Sequence, residues 1–203
     1  FVMLPIHNED IPSEIEVPVL MDVSGPNAEF GIEYVRGMQL VVDSLNSDSN
    51  IRFSIRIYDT ESDPEKLVEQ YNAIVASGSP FLIGPFSGED ATVINSIGGD
   101  IICVSPSATL DMLSQFKNQY RVVCADKFIS IGATMILNNS RITNVAVVYD
   151  GTSMYSIGHQ QNFLKAAEAY PGMHVSCIDF NDGIKALESL VELNPEAIFA
   201  PLQ

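Results

Sequence analysis

Positive charge is scarce in this chain: ten Lys and Arg stand against 26 Asp and Glu, for a formal net charge of -16. A surface of that sign repels a phosphate backbone, so nucleic acid is not expected as a partner. Arg36, Arg52, Arg56, Arg121 and Arg141 are scattered, and without a basic cluster anionic lipid is not expected either. Solubility accounts for the acidity more simply than any binding role. Long apolar runs are missing too, none approaching the roughly 20 residues that span a bilayer. No charged start followed by an apolar stretch marks a signal peptide, and Phe1 in place of Met reads as a processed or trimmed beginning. Cysteine is limited to Cys103, Cys124 and Cys177. With neither CxxC spacing nor a nearby histidine they predict no zinc site. One disulfide could form and leave one thiol over, but each cysteine sits in an apolar stretch, which favours small buried hydrophobes.

Catalytic signatures are equally absent. His7, His159 and His174 lie near no nucleophile in a recognisable motif, and His159, within an amphipathic segment, is expected in solvent. There is no GxSxG elbow, no phosphate-binding GxxxxGKS loop, no HExxH helix and no GxGxxG spacing. No metal, cofactor or enzymatic activity is expected. Asp59, Asp63 and Asp150, at the ends of strand-like runs, could bind a metal or act as acid and base, but turn and capping duties explain them more economically.

What the chain does have is alternation. Apolar runs of strand length and amphipathic segments of helix length follow one another from Glu16 onward, as in repeated βαβ units. Strands are expected at VPVLMDV (17–23), FSIRIYD, FLIG, IICVS, YRVVC, NVAVVYD, HVSCIDF and EAIFAPL. The helix after the first strand should bury Phe30, Tyr34, Met38, Val41, Val42 and Leu45, with Gly31 and Gly37 packing closely on the sheet at some cost in helix propensity. Ser62 with Glu65 suggests a capping box, and Pro64 a first turn, for the next helix. Leu67, Val68, Tyr71, Ile74 and Val75 form its buried stripe. A third helix begins near Gly88 and carries Val93, Ile94 and Ile97. The pattern restarts after Asp126 with helices over KFISIGATMILNN, SIGHQQNFLKAAEAY and IKALESLVEL. Strands so continuously apolar belong in a parallel sheet covered on both faces. The fold class is therefore α/β with two lobes, residues 1–121 the first (1–15 irregular) and 122–203 part of the second.

In such sheets ligands bind beyond the carboxyl ends of the strands. The loops expected there read SGPN (24–27), YDTESDP (58–64), GPFSGED (84–90), SPSAT (105–109) and YDGTSMYS (149–156). Their small and hydroxyl residues would present N–H and O–H donors to an anionic or carbonyl-bearing ligand without basic side chains.

Five segments in this order resemble the type 1 periplasmic binding proteins and the related ligand-binding regions of receptors. They are SGPNAEFG with RGMQLVVDSLN, YDTESDP, LIGPFSGEDAT, VSPSATLDML and VAVVYDGTSMYSIG. Each motif is weak alone, and their order carries the resemblance, which runs from Val17 to about Gln203. It implies a two-lobed, extracytoplasmic, non-enzymatic receptor, periplasmic or extracellular and in some forms membrane-anchored. Such a receptor captures a small polar molecule, an amino acid, amide or other carboxylate-bearing compound, between the lobes for ABC import. A sensor ectodomain of a signalling receptor is the alternative, and a flavodoxin-like α/β enzyme the more distant one. The implied partners are the ligand and a permease or signalling domain, with the first lobe the candidate surface for a homodimer contact. The resemblance places ligand contacts at Ser107 and Thr109, at Ser87 or Gly88, at Phe30 and at Tyr155; Ser24 joins them from its loop. Departures are visible. Gly88 stands where the branched-chain binder has a serine, and Ser156 follows Tyr155 where the family has Gly. Family members are longer, and the acidic group that pairs with a ligand ammonium would fall beyond this sequence. Local capping is the competing explanation for Ser105, Ser107 and Thr109, and packing at a helix start for Tyr155.

Overall fold

The computed structural model describes residues 12–202, so His7 lies outside the described residues. The described residues divide into two compact units: 12–108 with 115–122, and 109–114 with 123–202.

The first unit is a five-stranded sheet in the order β2-β1-β3-β4-β5, parallel throughout. Its elements are β1 (Glu14–Met21), α1 (Ala28–Asp48), β2 (Arg52–Asp59), α2 (Pro64–Ala76), β3 (Phe81–Ile83), α3 (Gly88–Ile97), β4 (Ile102–Ser105) and β5 (Gln119–Arg121). The first strand starts at Glu14, ahead of Val17, and β5 ends at Arg121 rather than running to Cys124. One face carries the main core: Leu20, Tyr58, Leu82 and Cys103 of the sheet meet Leu67, Tyr71 and Ile74 of α2 and Ile94 of α3. Each such side chain removed from water contributes about 1.5–3 kcal/mol. Burial pushes the Cys103 thiol up to about 11, so this cysteine is an inert packing residue.

The other face is only partly covered, which corrects the expected burial. Of the predicted α1 stripe only Val42 is buried; Phe30, Val41 and Leu45 are exposed. Gly31 and Val42 are the buried residues of α1, and much of its apolar arc stays exposed. A methyl group on Gly31 would overlap the Asp22 carbonyl, whereas one on Gly37 would meet nothing. Gly37→Ala is therefore expected to stabilise the protein by about 0.5–1 kcal/mol through helix propensity alone, read as a higher urea midpoint with an unchanged slope. An unchanged or lowered midpoint would place an unseen constraint at Gly37.

The α2 cap also differs from expectation. Asp63, not Ser62, is the N-cap, accepting from the Glu65 and Lys66 N–H groups. Ser62 has φ 55 and turns its hydroxyl back to Asp22 at 2.9 Å. Along the outer edge of β2, Asn46 of α1 holds Phe53 by both backbone groups: its Nδ2 donates to the carbonyl at 2.9 Å and its Oδ1 accepts from the N–H at 2.8 Å.

The second unit is a three-stranded parallel sheet in the order β7-β6-β8. It contains α4 (Asp126–Asn139), β6 (Asn144–Tyr149), α5 (Met154–Ala167), β7 (His174–Asp179), α6 (Ile184–Leu193) and β8 (Ala197–Phe199). The alternation of β6 sends Val145 and Val147 to a core with Phe163 of α5 and Phe199, and Ala146 to Ala186 of α6 with Ile178. Thr109–Ser114 is tied to this unit: the Asp126 N–H donates to the Thr109 carbonyl at 3.0 Å, and Asn162 donates to the Asp111 carboxylate.

Two further expectations are corrected. Cys124 and Cys177 are exposed, and all three cysteines are free. Cys124 lies past the end of β5, and Cys177 lies on the edge strand β7. His159 is completely buried rather than solvated, because α4 turns a polar stripe, Asp126, Ser130 and Thr134, inward while Phe128, Met135 and Ile136 stay exposed. No helix among the described residues is long and apolar enough to cross a membrane.

Candidate ligand-recognition site

Sequence order and sheet order diverge at β1, with β2 on one side and β3 on the other. This is the switch point at which open parallel sheets leave a crevice beyond their strand ends. The loops after β1 and β3 flank it. Gly84, with φ 130, is a position that only glycine fills easily, because a side chain there would overlap the Leu20 carbonyl. This close approach brings Phe86 to the switch point, where it stacks on Phe30 at 6.1 Å and meets Tyr34 edge-on at 6.2 Å. Phe30, 59% exposed, is thus an aromatic wall beside the loops. Phe86 completes that wall and was not singled out from sequence; the aromatic inside GPFSG was the available signal.

The loop after β1 is built around two carboxylates. Asp22, buried, accepts from the hydroxyls of Thr60 and Ser62 and from Asn27 Nδ2. Asp59 accepts from the N–H groups of Val23, Ser24 and Glu61, and from Ser24 Oγ at 2.6 Å. Burial alone would raise the Asp59 pKa, but the Ser24 hydroxyl and the Glu61, Val23 and Ser24 N–H groups outweigh it and hold the carboxyl below its usual range. Ser24 therefore has both donors committed to Asp59 at the end of β2.

Ser87 caps α3. Its Oγ accepts from the Asp90 N–H at 3.0 Å, and Asp90 accepts in return from the Ser87 N–H, a full capping box. Burial, opposed by the Ser87 hydroxyl, raises the Asp90 pKa. The Gly88 and Glu89 N–H groups sit in the first turn, where a helix supplies them no internal partner, and Gly88 is buried there.

The SPSAT loop is organised by Ser105, which is 1% exposed. Its Oγ donates to the Pro85 carbonyl at 2.7 Å and accepts from the Ala108 and Ser107 N–H groups at 2.9 and 3.3 Å. Ser107 Oγ donates to the Phe86 carbonyl, so that hydroxyl can only accept from a ligand. The loops after β3 and β4 are locked together by these two serines. Thr109 is half-buried and begins the segment held by the second unit.

In the second unit Tyr155 sits in the first turn of α5, which Ser153 caps. Its ring meets the His159 ring edge-on at 4.5 Å. Burial, and then the Asp126 charge, raise the Tyr155 pKa. Asp126 is a carboxylate that the sequence reading used only as a boundary. Both of its oxygens, and His159 Nε2, are buried without a hydrogen-bond partner among the described residues, although Nε2 stands 3.2 Å from Oδ1. Ring and carboxylate are close but not aligned for a donated N–H. Elsewhere Asp150 accepts from Thr152 and Asn181, a turn duty like that of Asp59.

A family model described as periplasmic binding protein matches residues 14–176. The chain is similar to the Leu/Ile/Val-binding protein BraC3 of Rhizobium johnstonii, 24% identical over 146 residues, 68% of this chain and 40% of that protein. It is also similar to the leucine-specific-binding protein of Salmonella typhimurium, 27% identical over 157 residues, 73% of this chain and 42% of the relative. Among solved structures, the leucine-binding protein LivK of Thermotoga maritima superposes with a TM-score of 0.79 at 20% identity, covering 92% of this chain and 55% of that one. The branched-chain amino acid substrate-binding protein LivJ of Streptococcus pneumoniae, in complex with isoleucine, superposes at 0.74 with 21% identity, covering 92% and 56%. The chain thus spans about half the length of these relatives, and the structural likeness bears on fold. Together with the family match, it shows that the chain belongs to the periplasmic binding protein family, in its type 1, leucine/isoleucine/valine-binding-protein-like form.

Proposed function

We propose that this chain is the recognition part of an extracytoplasmic solute receptor that holds a small amino acid for import and does no chemistry on it. The observation that carries the reading is the loop lock at Ser105 and Ser107, which ties the loops after β3 and β4 together beside the start of α3, where the Gly88 and Glu89 N–H groups have no partner within the helix. Such a wall suits a carboxylate. Gly88 and Thr109 are its proposed ligand contacts, with Ser87 holding the helix start, Ser107 joining the loops and accepting from the ligand, Phe30 and Phe86 as apolar walls, and Ser24 ordering its own loop. Tyr155, in the first turn of α5, is the proposed contact from the second unit. The chain's likeness to a leucine-specific-binding protein and to the substrate-binding protein of a branched-chain amino acid transporter supports an aliphatic amino acid and an importer as partner.

Calorimetry with L-leucine, L-isoleucine and L-valine tests this. Binding of at least one is expected, and Thr109→Val should weaken it about tenfold, roughly 1.4 kcal/mol. No binding by any of the three would overturn the ligand class. Unchanged affinity in Thr109→Val would remove that residue from the site.

A further inference from the structure

A helix leaves four N–H groups at its start without a partner of its own. At α3 the capping box takes two of them: the Asp90 N–H donates to Ser87 Oγ at 3.0 Å, and the Ser87 N–H donates to Asp90 Oδ2 at 3.3 Å. The Gly88 and Glu89 N–H groups are left over. Ser87, Glu89 and Asp90 are half-buried around them, which keeps this helix start within reach of solvent. One turn therefore holds both the donors proposed for a ligand carboxylate and a carboxyl group of the protein. Burial raises the pKa of that carboxyl most, and the charges of Asp22, in the loop after β1, and of Glu89 raise it further against the Ser87 hydroxyl and N–H. The cations on neighbouring elements, Lys66 of α2, drawn to Glu69 at 2.9 Å, and Arg121 of β5, level with Ser105 of β4, do not offset this. Tyr71 and Cys103, which share the core beneath α3, are held neutral by burial.

We propose that Asp90 is a specificity-determining residue of this site: a ligand carboxylate docking on the Gly88 and Glu89 N–H groups shares the start of α3 with the Asp90 carboxyl, and a proton from solvent goes to Asp90 as the ligand binds. This rests on the proposed docking of a carboxylate at that helix start. Two like charges within one helical turn disfavour each other, and Asp90 is the one to be neutralised because burial already works against its ionised form. A neutral carboxyl keeps its place in the capping box, since its carbonyl oxygen still accepts from the Ser87 N–H. The site thus holds an amino acid more tightly as pH falls through the Asp90 transition. A ligand that carries an amide in place of the carboxylate is indifferent to that transition.

The test is titration calorimetry of the wild-type protein, Asp90→Asn and Asp90→Gln with L-leucine and L-leucinamide, in two buffers of different ionisation enthalpy at one pH on the acid side of neutrality. The wild-type protein should take up protons with L-leucine and none with L-leucinamide, and its affinity for L-leucine should fall as pH rises toward neutrality. Both substitutions keep an acceptor for the Ser87 N–H but cannot ionise. In them the uptake should vanish, and near neutrality L-leucine should bind about threefold more tightly or better, the scale of repulsion between unit charges a few ångströms apart in water. A second readout needs no ligand. A carboxyl whose pKa is raised by folding contributes stability that is lost as pH rises from the ordinary carboxylate range through its folded value, so the wild-type urea midpoint should fall relative to that of Asp90→Asn over this interval. Binding of L-leucine without proton uptake, or with uptake that survives in the variants, would overturn the proposal and leave the proposed function standing. Parallel stability profiles in the wild-type protein and Asp90→Asn would overturn it as well. Should Asp90→Asn not fold, Asp90→Gln carries both comparisons. If L-leucine, L-isoleucine and L-valine all fail to bind the wild-type protein, the proposed function falls and this proposal with it.

Discussion

Replacing Gly31 by alanine is expected to destabilise the first unit by roughly 3 kcal/mol or more, read as a large drop in the urea midpoint. The added methyl would overlap the carbonyl carbon and oxygen of Asp22 and press on Met21. Neither obstacle is a flexible side-chain end. Relief requires α1 to lift away from β1, which would draw Asn27 Nδ2 off the buried Asp22 carboxylate and Phe30 off Phe86. The same chemical change six residues along, at Gly37, carries the opposite expected sign. The pair therefore separates close packing from helix propensity, and equal effects at the two positions would refute the packing account.

Ser105→Ala is expected to cost about 3 kcal/mol and to weaken ligand binding as well. One hydroxyl serves the Pro85 carbonyl and the Ser107 and Ala108 N–H groups. Its removal leaves buried backbone groups without partners, at about 1–3 kcal/mol for each left unsatisfied. Because these bonds join the loops after β3 and β4, the variant should lose affinity for the amino acid although Ser105 is not a proposed ligand contact. Chemical denaturation and calorimetry on one preparation measure both effects. A stable variant with wild-type affinity would show that the loops hold their shape without it.

The fold was legible because its signals are local. Runs such as VAVVY and ICVS read as buried parallel strands, and the helix starts expected at Pro64 and near Gly88 are the observed ones. Which residues of α1 end up covered was not legible. The α1 pattern is amphipathic over a wide arc, and nothing in it says that only Gly31 and Val42 are buried. His159 misled for a related reason. An imidazole among Gln and Asn on a helix reads as exposed, and its burial depends on α4 presenting Asp126 and Ser130 to it from about 30 positions earlier in the chain. At the site, the sequence located the loops but not the direction of their hydrogen bonds. Ser24 and Ser107 look like free donors until Asp59 and the Phe86 carbonyl are found to hold them.

The clamp of Asn46 on Phe53 has a bearing on solubility. FSIRIY is rich in β-branched and aromatic residues and lies on the outermost strand, the kind of segment onto which another extended chain can zip. In β2 the even-numbered residues bond inward to β1, as the Arg52 N–H does to the Ser13 carbonyl, leaving Phe53, Ile55 and Ile57 to face outward. By occupying both groups of Phe53, the Asn46 amide imitates one residue of a neighbouring strand and caps the start of that exposed track, while Arg56 places a charge midway along it. Two short polar features thus shield the segment of this unit best suited to start a fibril.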